Sequence, residues 1–107
     1  MKGTTRLRIL ARYLSSGAVD EDEFDMGRWQ SCAIGEAVNH VPALANEGLE
    51  LTEDRRPVYN GWDGYEALEF YFSIPLRVAE RLFGPRRFTA ITVGRRIERY
   101  LKQQEGP

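Results

Sequence analysis

One hundred and seven residues fit one domain over 1–107, because single hydrophobic cores usually form from roughly 100–150 residues, and a multidomain enzyme is excluded. Hydrophobic residues at 42% and charged residues at 29% are too much apolar material for a disordered chain. A formal net charge of −1, from 15 Lys and Arg against 16 Asp and Glu, excludes a uniformly basic nucleic-acid binder.

The chain opens on Leu7, Leu10, Ala11 and Leu14, the stripe of an amphipathic helix with Thr4 or Thr5 as cap and Gly17 as stop. Arg8 and Arg12 fall on its outer face. The acidic stretch that follows has no helical stripe and reads as a loop pinned to the core by Phe24, Met26 and Trp29. Its run from Asp20 to Glu23 lacks the alternating ligands and central glycine of a calcium loop. Ser31 is the expected cap of a second, buried helix through His40, with Gly35 allowing a close neighbour. Pro42 starts a short turn that Gly48 ends, and the alternation of Leu49, Glu50 and Leu51 suggests a brief strand. Thr52 to Asn60 is polar, holds Pro57 and reads as a loop.

Asp63 and Glu66 have the spacing of a capping box, opening a helix that turns Tyr65, Leu68, Tyr71 and Phe72 inward. Pro75 breaks it. Leu76, Val78, Ala79, Leu82 and Phe83 make the next helix, stopped by Gly84 and Pro85. Thr89 caps the last one, in which Val93, Ile97, Tyr100 and Leu101 recur on one face.

Neutrality hides a cancellation. Residues 1–14 carry Lys2, Arg6, Arg8 and Arg12 without an acid; residues 15–70 carry 13 acids against Arg28, Arg55 and Arg56; the remainder carries eight bases against Glu80, Glu98 and Glu105. The three parts are +4, −10 and +5. Either the basic ends fold back on the acidic middle, or separate positive and negative surfaces meet different partners.

Cys32 is the only cysteine, so no intrachain disulfide can form and a reducing cytoplasm is the expected compartment. No signal peptide and no membrane span is read from the apolar runs. At the start of a helix Cys32 is also the one candidate nucleophile, since the positive end of the dipole favours a thiolate. A cysteine hydrolase needs a histidine beside the sulfur, and His40 lies about 12 Å further along the same helix. Cys32, Glu36 and His40 likewise drift too far apart for a tetrahedral ion, so neither a metal nor a cofactor is expected.

Eight aromatic residues fall between Tyr59 and Phe88, most of them at core spacing. Tyr59, Trp62 and Tyr65 flank a glycine-containing turn and are the expected exposed binding residues, joined by Arg95, Arg96 and Arg99 of the last helix. The glycines give no Walker or dinucleotide fingerprint.

The order of Phe24, Asp25, Met26 and Trp29, then Cys32 to Gly35, Phe70 to Phe72, Leu82 to Pro85 and Thr89 onward resembles a family of small uncharacterised proteins of bacteria and phages. Ser73 stands where that resemblance implies a glycine, and Ala90 where it implies a proline. The resemblance implies a compact helical domain with its cysteine in the core, and brings no activity with it.

The sequence thus predicts a mainly α domain of about five short helices, with a small two-stranded element between Leu49 and Tyr59. The expected function is a non-catalytic binding module, an adaptor or inhibitor meeting a protein partner through a charged and aromatic surface. Two alternatives are nucleic-acid binding through arginines of the first and last helices, and a small enzyme using Cys32.

Overall fold

The stripe of Leu7, Leu10, Ala11 and Leu14 closes into α1 (Gly3–Ser15) in the computed structural model, which describes residues 1–105. All four side chains are fully buried. The helix starts before Thr4 and Thr5, on Lys2, with no side-chain cap. Its start is fixed by packing instead: a Cβ on Gly3 would lie 2.5 Å from the Phe72 carbonyl, so only glycine lets α1 begin there.

Met26 is buried in the loop after α1, and Phe24 and Trp29 pack on the core as expected. The turn at Trp29 and Gln30 then folds back over the first turn of α2 (Ala33–His40). A Cβ on Gly35 would strike the Trp29 and Gln30 carbonyls, which is why that helix carries glycine. The expected cap Ser31 is displaced by one residue. Cys32 occupies the cap position: its sulfur accepts the Ile34 N–H at 3.3 Å and its thiol donates to the Trp29 carbonyl at 3.3 Å.

After the single turn α3 (Pro42–Ala45), a three-stranded antiparallel sheet forms from β1 (Glu50–Leu51), β2 (Pro57–Tyr59) and β3 (Trp62–Asp63). The third strand extends the expected two-stranded element. Its cause is the dipeptide Asn60-Gly61, with φ of 51° and 85°, the left-handed pair of a two-residue hairpin that places Tyr59 opposite Trp62.

Asp63 precedes α4 (Gly64–Phe72) but makes no side-chain cap; its carboxylate pairs with Arg56 at 3.2 Å. Ser73 ends α4 with φ of 54°, the left-handed conformation that glycine adopts most easily. Helix α5 (Leu76–Phe83) then leads through Gly84 and Pro85 to α6 (Ala90–Gln104). Thr89 caps α6 as expected, its hydroxyl accepting the Thr92 N–H at 3.1 Å. A second cap comes from the acidic loop: Glu21 accepts the Ala90 and Ile91 N–H groups at 2.8 and 3.3 Å.

The fold is therefore mainly α, six helices with a small sheet among the described residues. Helices α1 and α6 make the most extensive contact between elements. Gly94 allows it, since a Cβ there would lie 2.8 Å from the Ala11 carbonyl and 3.1 Å from Leu14. The core between the helices holds Tyr71, Phe72 and Phe83 without exposure, and Tyr71 donates to the Leu44 carbonyl at 2.6 Å.

Candidate functional site

The aromatic residues singled out by sequence divide on folding. Tyr59 turns inward from β2, edge-on to Tyr71 at 5.0 Å. Arg6 lies over both rings, 5.5 Å from Tyr59 and 4.5 Å from Tyr71, and donates to the Tyr71 carbonyl at 2.9 Å. Tyr59 is thus half-buried and engaged by the fold. Trp62 is 45% exposed and packs against Phe70, itself 46% exposed, with ring centroids 4.7 Å apart and planes tilted by 34°. Phe70 lies off the inward stripe of Leu68, Tyr71 and Phe72, and that phase is the signal that could have identified it.

Tyr65 lines a groove of ≈450 Å³ with Trp29, Arg56, Asp63, Leu76 and Glu80. Trp29 meets Tyr65 edge-on at 5.1 Å, and Leu76 leaves α5 39% exposed. The loop after α1, the sheet and the facing sides of α4 and α5 therefore build one surface from segments far apart in sequence. Glu66 also faces the groove, so three carboxylates, those of Asp63, Glu66 and Glu80, stand against the guanidinium of Arg56. Burial raises the Tyr65 hydroxyl above its ordinary value, with smaller contributions from Cys32 and Glu80. A neutral phenol beside carboxylates and apolar walls can donate a hydrogen bond while the rim attracts cations.

The arginines singled out by sequence lie elsewhere. Arg96 and Arg99 line a second hollow, of ≈190 Å³, with Arg81, Tyr100 and Gln103. Arg96 lies over the Phe88 ring at 4.6 Å. Arg95 is exposed and lines neither surface. Arg81 completes this lining without having been foreseen, because a hollow between two helices leaves no periodic mark on either, while Phe88 supports Arg96 from outside the lining.

The two basic ends of the chain differ in their pairing. In the first basic segment Arg6 reaches Glu47 of the acidic middle at 3.5 Å, a charge contact without hydrogen-bond alignment, whereas Arg8 pairs with Glu105 of the last segment at 2.8 Å. From Arg77 to Lys102, no base lies within 4.0 Å of a carboxylate among the described residues.

Cys32 is 1% exposed. Burial raises its thiol above the ordinary value, outweighing the backbone N–H groups of Gly35 and Ile34 that lower it. The helix start therefore uses the sulfur as a cap, and desolvation overrides the dipole. Glu36 accepts from the Tyr13 hydroxyl at 3.1 Å and lies 3.9 Å from His40. No three His, Cys, Asp or Glu side chains are placed to hold a metal ion among the described residues. No helix among them is long and apolar enough to cross a membrane.

Comparison with family models, curated proteins and solved structures yields no match.

Proposed function

We propose that the protein is a non-catalytic binding module, an adaptor or inhibitor, that receives a segment of a protein partner in the groove between α4, α5 and Trp29. The observation that carries this reading is the composition of that groove: apolar walls of Trp29, Tyr65 and Leu76 beneath a carboxylate-rich rim. Its ≈450 Å³ is within the range of roughly 300–1,000 Å³ typical of ligand sites and admits a few side chains. An exposed aromatic pair, Trp62 of β3 and Phe70 of α4, offers further aromatic surface on elements that also supply groove residues. Aromatic anchors with partial desolvation are what concentrate binding energy at protein interfaces.

The chemistry of the partner follows from the charges. Three carboxylates against one guanidinium favour a segment carrying Lys or Arg beside an apolar or aromatic anchor. Selection of a displayed random-peptide library on the intact protein tests this. Enriched peptides should join a basic residue to an apolar anchor, and Leu76→Arg or Glu80→Lys should weaken them by about tenfold or more. An absence of enrichment, or equal enrichment on the two variants, would sink the reading.

The nucleic-acid alternative draws on α1 and α6 together, and Arg6 and Arg8 of α1 are already engaged by Glu47 and Glu105. It has less support than the groove.

A further inference from the structure

Helices α5 and α6 concentrate positive charge that their own carboxylates do not answer. Glu98 of α6 accepts from the Ser15 hydroxyl at 3.0 Å and Glu105, just past its end, pairs with Arg8, so both acids are directed to α1. Glu80 faces the aromatic groove. Its neighbour Arg81, rotated by about 100° around α5, lines the α5–α6 hollow instead. Arg81, Arg96 and Arg99 thus converge on the α5–α6 hollow with no ion pair among the described residues.

The hollow is also partly ordered in advance. Stacking over Phe88 holds the Arg96 guanidinium and shields one of its faces from water. Burial, then the charges of Arg86, Arg81 and Arg99, pushes Arg96 below its ordinary value, a sign that these like charges feel one another. Guanidinium groups offer forked N–H donors that match phosphate oxygens in pairs. A multiply charged anion would relieve the repulsion and satisfy several such forks at once.

We propose that the α5–α6 hollow is a binding site for a compact polyphosphate group. Size and lining select this class. At ≈190 Å³ the hollow is below the roughly 300 Å³ at which sites for whole organic ligands begin, and it suits a short phosphate chain. It offers no stacking platform for a base, since Tyr100 is 9% exposed and Phe88 is covered by Arg96. The exposed aromatic pair that could stack a base is on α4 and β3, elements that do not line the hollow. The site is independent of the groove, and either assignment can fail without the other.

Calorimetric titration of the intact protein with sodium tripolyphosphate tests the assignment, with sodium sulfate at matched ionic strength and a short DNA duplex as comparisons. The expected result is saturable binding of one tripolyphosphate, weakened by about tenfold or more in Arg81→Gln/Arg99→Gln, which leaves the Arg96–Phe88 stack in place. Arg77→Gln, an exposed base outside the hollow, should change affinity by no more than about twofold. Sulfate should bind at least about tenfold more weakly than tripolyphosphate, because it engages fewer forks. Equal affinity in the double variant and the unaltered protein, or sulfate binding as tightly as tripolyphosphate, overturns the proposal. A duplex binding about tenfold more tightly than tripolyphosphate also overturns it, in favour of a nucleic-acid surface.

Discussion

Cys32 shows how burial and local geometry compete at a single side chain. Its sulfur bridges the Ile34 N–H and the Trp29 carbonyl, so it acts as a cap inside the core. Serine can make both hydrogen bonds with better geometry, while alanine leaves a buried N–H and a buried carbonyl unpaired. Cys32→Ser should therefore be the more stable of the two variants, with Cys32→Ala losing about 1 kcal/mol or more relative to it in urea denaturation. A merely apolar site would give the reverse order. Because burial also holds the thiol protonated, alkylation in the folded state should be slow at neutral pH and become fast only on addition of denaturant.

Tyr71 carries a pH dependence whose sign follows from its burial. Desolvation is the main cause that pushes its hydroxyl from the ordinary 10.0 up to about 12. The folded chain keeps this proton after the unfolded chain has released it, so stability is intact below pH 10.0 and declines as pH rises toward about 12. Tyr71→Phe removes that alkaline decline but also one of the Leu44 carbonyl's hydrogen bonds, the Glu47 N–H remaining on it, at a cost of about 0.5–1.5 kcal/mol at neutral pH. Thermal melts across this range should show the variant starting lower and falling less steeply. A steeper fall in the variant would contradict the assignment.

Among the elements, the α1–α6 pair depends on a close approach at Gly94. Alanine there gains about 1 kcal/mol of helix propensity but forces the helices apart, an overpacking cost of about 1–3 kcal/mol. Gly94→Ala should be net destabilising in denaturant titration, and a stabilised variant would show that the helices yield.

The helices themselves were legible because periodicity reports burial: the α1 stripe and the α6 repeat of Val93, Ile97, Tyr100 and Leu101 are buried as read. What escaped reading was set by partners distant in sequence. Glu21 caps α6 from a loop 69 residues away, and Gly3 sets the start of α1 against Phe72. Asn60-Gly61 was a readable hairpin signal that the polar, proline-containing surroundings obscured. At the candidate sites, exposed Trp62 and partly exposed Tyr65 were legible as aromatic residues around a turn. The groove was not, since Trp29 and Leu76 reach it only through the tertiary fold.

Across the whole molecule, α5 separates two surfaces of opposite charge, with Glu80 on the groove side and Arg81 on the hollow side. The formal net charge of −1 thus conceals surfaces of opposite sign, a groove lined by three carboxylates and one guanidinium and a hollow lined by three guanidinium groups. Mapping the selected peptides by amide chemical-shift perturbation on the intact protein tests the central assignment most directly. Shifts should cluster at Trp29, Asp63 to Glu66, Leu76 and Glu80, leaving Arg96 and Arg99 unmoved; shifts confined to α6, or none on saturation, would contradict it.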